Sequence, residues 1–284
     1  MKKTLSGLVA VAAAGALALA GCSTTTTPDV TGSNAGPSAD ATLATVTPGK
    51  LTIATGEPAY EPWVVGDAPE SGEGFEAAVA YAVAAQLGFA AEDVVWVRST
   101  FESAIAPGAK DWDFNLQQFS VTEDRKAAVD FSSPYYVTSQ AIVASADSPF
   151  AGATTLADLD GAVLGVMNGT TSYTQAVDVF GADALQVFNN NDDAVLALQS
   201  GIVDAIVVDL PTAFFVSAVQ LDNGVVVGQL ENTGDGDAFA LVLPKGSALT
   251  APVTAAVDAL RDNGTLASLE QQWLSDAVSV PVLK

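Results

Sequence analysis

LQVFNNNDDAVLALQSGIVDAIVVD, residues 185–209, decides how the chain folds. It holds a short apolar run, Leu185 to Phe188, then a helical stretch, Asp192 to Gln199, then a second apolar run, Ala205 to Val208. Asn191-Asp192-Asp193 reads as the helix start. A strand, a helix and a strand in succession favour parallel sheets covered by helices. Ligands of such sheets bind at the carboxyl ends of the strands.

The same alternation extends in both directions. Upstream lie a strand at Val163 to Val166 and a helix after Thr170. Before Ser148 an earlier unit has strands at Leu51 to Thr55, Val94 to Val97, Asp113 to Gln118 and Gln140 to Ala144. Its helix shows Phe75, Ala78, Val79, Ala82, Val83 and Leu87 on one face and stops at Gly88. Downstream come a strand at Ala238 to Leu243 and two helices, Ala251 to Arg261 and Thr265 to Leu274, with Gly264 between them as a hairpin. Two α/β units in succession imply two lobes.

Lys2 and Lys3 precede an apolar stretch from Leu5 to Ala20, the charged and hydrophobic regions of a signal peptide. A membrane-spanning helix needs about 20 apolar residues, and this stretch is shorter and ends in small residues. Leu19-Ala20-Gly21-Cys22 resembles the lipobox of bacterial lipoproteins, in which cleavage leaves the cysteine N-terminal and carrying lipid. The alternative is a free thiol in a leader. Residues 22–47, rich in Ser, Thr, Pro, Gly and Ala, read as a flexible tether. The expectation is a protein outside the cell, held to the outer face of the membrane by lipid alone.

Cys22 is the single cysteine, so the chain can form no internal disulfide. There is no histidine, which excludes Ser-His-Asp and Cys-His catalysis and His-ligated zinc within one chain. A formal net charge of −23 repels nucleic acid and anionic lipid alike. Asn191-Asp192-Asp193 and Asp235-Gly236-Asp237 lack the run of oxygen ligands of an EF-hand loop, so neither a metal nor a cofactor is expected.

Several segments resemble the extracellular solute-binding proteins of family 3, the receptors of polar amino-acid ABC importers. They are Gly56-Glu57-Pro58-Ala59-Tyr60-Glu61-Pro62-Trp63, Gly74-Phe75-Glu76, the run from Phe119 to Arg125, the run from Val129 to Tyr136, Gly169-Thr170-Thr171, the run from Val203 to Asp209, and Asp262-Asn263-Gly264-Thr265-Leu266. The resemblance implies a two-lobed periplasmic-binding-protein-like fold of type II. Each lobe would be a mixed, mostly parallel sheet flanked by helices, and a two-segment hinge would join them. Residues 48–145 and 236–284 would form lobe 1, and 146–235 lobe 2. It also implies a monomer that delivers a small amino acid to an ABC permease.

An amino acid carries a carboxylate and an ammonium on one carbon, so its receptor needs a fixed cation, anion-binding N–H groups and a fixed carboxylate. By resemblance Arg125, with Ser120, supplies the first; a surface arginine on a short acidic helix is the other reading. Gly169, Thr170 and Thr171, between a strand and a helix, would grip the same carboxylate from lobe 2, or simply cap the helix. Asp209 would take the α-ammonium, or cap the helix after it. Tyr60 and Trp63 would face the ligand's side chain, unless they pack in the core. Glu57 falls where relatives for cationic amino acids carry an acid. Gln117-Gln118-Phe119 replaces a pair of small residues and would reshape the pocket, and Phe101 would line it. With one arginine committed to the α-carboxylate, a polar or cationic ligand is expected rather than an acidic one. The other readings are an exported cyclohexadienyl dehydratase-like enzyme on the same fold and a ligand-sensing adaptor.

Overall fold

The computed structural model describes residues 43–232, 236–274 and 280–284 of the 284-residue chain. The expected leader, Cys22 and its lipid, and the tether up to residue 42 lie outside the described residues. The last five residues assigned to the tether, 43–47, lie against the first lobe. Leu43 packs on its core, and the Val46 N–H donates to Asp113 Oδ1 at 2.8 Å.

The first sheet contains β1 (Leu51–Thr55), β2 (Val94–Arg98), β3 (Phe114–Asn115), β4 (Val129–Thr138) and β10 (Asp237–Pro244). The second contains β5 (Gln140–Ser145), β6 (Leu164–Met167), β7 (Leu185–Phe188), β8 (Ala205–Asp209), β9 (Gly224–Leu230) and β11 (Val282–Leu283). The helices are α1 (Phe75–Gln86), α2 (Phe101–Ile105), α3 (Glu123–Ala128), α4 (Thr171–Phe180), α5 (Asn191–Gln199), α6 (Leu210–Phe215), α7 (Thr250–Asp262) and α8 (Thr265–Trp273). Among the described residues no helix is long and apolar enough to cross a membrane.

Strand order is β2-β1-β3-β10-β4 in one sheet and β11-β9-β5-β8-β6-β7 in the other. Parallel pairs carry the helical crossovers, and β4, β5, β9 and β10 add antiparallel pairs where the chain changes lobe. This is the two-lobed type II architecture.

The stretch at residues 185–209 becomes β7, α5 and β8. Along β8, Ala205 and Val207 point into one apolar layer and Ile206 and Val208 into another, so the strand is buried on both faces. That explains an unbroken apolar run in place of an alternating one. Each fully buried aliphatic side chain of this kind contributes about 1.5–3 kcal/mol. In lobe 1, Leu51 and Ile53 face the α1, α7 and α8 side while Ala54 faces Trp112 and Phe119.

The expected lobe boundaries need correction. Strand β5 belongs to the second sheet, so the first crossing is at Ser139 and not after residue 145. The second crossing lies between the end of β9 at Leu230 and the start of β10 at Asp237. The C-terminal segment does not stay in lobe 1. Strand β11 pairs with β9 in the second sheet, and Leu283 fills the space above Gly228, where a Cβ would come within 2.7 Å of Leu283 Cγ. Three segments therefore run between the lobes.

The strand expected over residues 113–118 is only Phe114–Asn115; Gln118 adopts a left-handed φ of 51°, and pairing with β10 resumes at Ser120, opposite Phe239. The Gln118 N–H donates at 2.7 Å to Glu76 Oε1 instead of to a neighbouring strand.

Candidate functional site

A cavity of about 330 Å³ lies between the lobes at the carboxyl ends of their strands. Gly56 to Tyr60 reach it after β1, Thr100 to Glu102 after β2, and Gln117 and Gln118 after β3. From lobe 2 come Met167 and Thr170 to Ser172 after β6, Asn189 to Asn191 after β7, and Asp209 at the end of β8.

Arg125 is placed by local chemistry. Thr122 caps α3 by accepting from the Arg125 N–H at 3.2 Å, which sets the first turn and aims the guanidinium inward. The side chain is 8% exposed. Its Nη1 donates to the Ser120 carbonyl at 2.8 Å and its Nη2 to the Gly169 carbonyl of lobe 2 at 2.9 Å. The guanidinium lies 5.2 Å from the centre of the Phe101 ring, and Phe101 stacks on Phe119 at 4.8 Å. Burial lowers the Arg125 pKa, and the charges of Asp237 and Asp209 oppose that shift.

Opposite stands the start of α4. Thr170 caps it, accepting from the Tyr173 N–H at 3.1 Å while its hydroxyl donates to the Met167 carbonyl at 2.8 Å. The cap reading of Thr170 therefore holds. Thr170, Thr171 and Ser172, at the start of this helix, line the same cavity as Arg125. The Thr171 hydroxyl donates to Asp237 Oδ2 at 2.6 Å. Having one hydrogen, it must accept from Ser120 Oγ, 3.0 Å away across the cleft.

Asp209 precedes α6 but makes no cap. Its Oδ1 accepts from Gln140 Nε2 at 2.8 Å, and the same nitrogen donates to Asp237 Oδ2 at 2.6 Å. Burial, then the charge of Asp237, raises the Asp209 pKa from 3.8 to about 7, against the opposing effects of Gln140 and Arg125. Such a carboxyl is half-protonated near neutrality, and an incoming cation would ionise it.

Glu76, in the first turn of α1, is 1% exposed and has no cationic partner among the described residues. It accepts from the Gln118 N–H, from Gln118 Nε2 and from the Tyr135 hydroxyl. Burial raises its pKa to about 7 despite these donors. Tyr60 is pushed up to about 12, first by burial and then by the charge of Asp192, while the Asn191 and Asp192 amides face its hydroxyl.

Of the expected residues, Glu57, Tyr60, Phe101, Gln117, Gln118, Arg125, Thr170, Thr171 and Asp209 line the cavity. Trp63 does not. It is fully buried among Phe75, Tyr136 and Phe239, and its indole N–H donates to Thr212 Oγ1 of lobe 2 at 3.0 Å. Phe119 is likewise buried and supports Phe101 from beneath. Ser120 and Gly169 lie behind the wall, bonded to Thr171 and Arg125. Sequence reasoning missed Gln140, Asp237 and Glu76. Only Glu76 carried a signal, as a lone acid opening a helix of Ala and Val. Among the described residues no cluster of His, Cys, Asp and Glu could hold a metal ion.

Comparison with known proteins agrees with this geometry. The chain is 27% identical to an arginine-binding periplasmic protein of Mannheimia haemolytica, over 77% of this chain and 89% of that one. It is 28% identical to the glutamate-binding protein GluB of Corynebacterium glutamicum, over 82% and 77% respectively. Among solved structures it resembles an ancestral arginine-binding protein bound to arginine, with a TM-score of 0.67, 30% identity, and coverage of 79% of this chain and 98% of that one. These relatives are named as binding proteins and not as enzymes. The model of the bacterial extracellular solute-binding proteins, family 3, matches residues 51–276, and the chain belongs to that family.

Proposed function

We propose that the protein captures a cationic L-amino acid, with arginine the first candidate, between its lobes and delivers it to an ABC importer. The observation that carries this reading is the pairing, in one cavity, of a buried Arg125 facing the start of α4 with Asp209 on the adjacent strand end. The guanidinium fork and the helix amides would hold the α-carboxylate, and Asp209 the α-ammonium. Glu57, Glu102 and Asp209 against the single Arg125 leave the lining acidic, which favours a cationic side chain over an acidic one. Arginine-binding relatives point the same way.

Calorimetry against arginine, lysine, ornithine, histidine, glutamine and glutamate tests the assignment. Arginine should bind with a micromolar or tighter constant, equivalent to about 8 kcal/mol or more. Arg125→Ala should weaken that binding at least about 100-fold, since it removes a bidentate, charge-assisted contact. Preference for glutamate, or unchanged affinity in Arg125→Ala, would overturn the reading.

The receptor would work as a monomer, tethered by lipid on Cys22 outside the membrane. Cys22→Ser should shift it from the membrane to the soluble fraction with arginine affinity unchanged; continued membrane attachment would rule out the lipid anchor.

A further inference from the structure

Gln140 opens β5, one residue past the first crossing, and Asp237 opens β10 at the end of the second. Their side chains meet behind the cavity. An amide nitrogen carries two hydrogens, and the Gln140 nitrogen gives one to Asp209 at 2.8 Å and one to Asp237 at 2.6 Å. The Gln140 carbonyl oxygen accepts from the Ser172 hydroxyl, so the orientation of the amide is fixed by its partners. Asp237 takes, in addition, the hydroxyl hydrogen of Thr171. Gln140 is 1% exposed, and neither residue lines the cavity.

We propose that Gln140 and Asp237 are positioning residues, one from each of the first two crossings, that hold Asp209 and Thr171 in their ligand-facing poses and tie those poses to the hinge. This deepens the function proposed above and rests on its assignment of Asp209 and Thr171 to the ligand's two charged ends. Because the bridge links the first two of the three crossings, a change in hinge angle alters the seat for the ammonium and the seat for the carboxylate together.

The bridge also has an electrostatic signature. Asp209 faces Asp237 and Glu76, which disfavour its ionised form, and Gln140 and Arg125, which favour it. Tyr135 and Tyr136 stand close enough to feel its charge in turn. The two positioning residues therefore act on Asp209 in opposite directions. Removing the negative charge of Asp237 eases ionisation of Asp209, and removing the Gln140 donor hinders it.

The experiment is a carboxyl 13C NMR titration of the ligand-free protein labelled in aspartate, with the Asp209 resonance identified by its loss in Asp209→Asn. Asp237→Asn should move the Asp209 midpoint to lower pH by about one unit, and Gln140→Met should move it to higher pH. Calorimetry with L-arginine on the same variants should show the pH of half-lost affinity moving in the same two directions. Gln140→Met should also bind arginine about ten-fold more weakly than the parent at a pH well above its own Asp209 midpoint, where Asp209 is ionised but no longer oriented. Midpoints that stay put in both variants, or that move in the same direction, would overturn the inference. Should Gln140→Met fail to fold, Gln140→Leu and the Asp237→Asn arm still decide it. Absence of arginine binding at every pH, with the NMR midpoints separating as expected, would instead reject the proposed ligand and leave the carboxylate bridge standing.

Discussion

At the scale of single residues, burial and not residue type decides what a carboxylate does. Glu76 and Glu57 are both glutamates near the cavity. Glu57 is exposed, whereas Glu76 is enclosed with three donors and no cation. Glu76→Gln keeps the shape but puts an NH2 where donors already point, so one hydrogen bond is lost and two donors face each other. The variant should be destabilised by about 1–3 kcal/mol at pH 8 in urea unfolding. Its arginine affinity should also fall, because this carboxylate accepts from both the backbone and the side chain of Gln118, which lines the cavity in a left-handed conformation. Trp63 makes the opposite point. Of its two readings, ligand contact or core packing, the second holds: its ring serves the core and its indole N–H reaches the other lobe at Thr212.

Among the elements, α1 shows how a helix start builds part of the site. Gly74 sits at φ 102°, where a Cβ would meet the Trp63 carbonyl oxygen at 2.5 Å. That close approach lets the Phe75 N–H donate to Pro62 and the Glu76 N–H to Trp63, which fastens the Gly56–Trp63 loop to the helix. Gly74→Ala should cost more than about 2 kcal/mol, since backbone must move. Gly88→Ala, at φ 88° but with no atom near the added Cβ, should cost about 1 kcal/mol. Thermal unfolding of the pair checks the difference. Strand β4 was quoted as a motif without being recognised as ten residues of sheet. Pro134 interrupts the reading, and the structure accommodates it where the register against β10 shifts, opposite Ala240.

For the whole molecule, the lobes meet through Trp63 with Thr212, Ser120 with Thr171, Arg125 with the Gly169 carbonyl, and Asn168 with Glu102 at 2.8 Å. This is the closed arrangement. Two buried carboxyls, Glu76 and Asp209, have pKa values raised to about 7. A carboxyl raised above its unfolded value binds more protons when folded, so its stabilising contribution is full below about pH 4 and is lost as pH rises to about 7. The melting temperature of the ligand-free protein should therefore fall between pH 5 and pH 8, helped by mutual repulsion within a chain of net charge −23. Arginine affinity should run the other way, rising with pH as Asp209 ionises. The thermal shift produced by saturating arginine should be larger at pH 8 than at pH 5, and a larger shift at pH 5 would contradict the assignment of the ammonium to Asp209.

Sequence by itself determined the α/β alternation, most strand positions, the two lobes and many of the residues that line the cavity. Apolar runs, helix caps and the Ser120 to Arg125 spacing are local signals, written within a few residues of one another. Strand β7 at Leu185–Phe188 and α5 show this, matching the reading of residues 185–209 almost residue for residue. Tertiary structure alone decided which sheet β5 and β11 join, that Trp63 and Phe119 turn into the core, and that Gln140 and Asp237 meet behind Asp209. Those partners lie 69 and 97 residues apart along the chain, and strand pairing brings them within hydrogen-bond reach, Gln140 opposite Asp209 in the β5–β8 pair and Asp237 opposite Thr138 in the β10–β4 pair. Such contacts depend on register and burial, which no short stretch of sequence specifies.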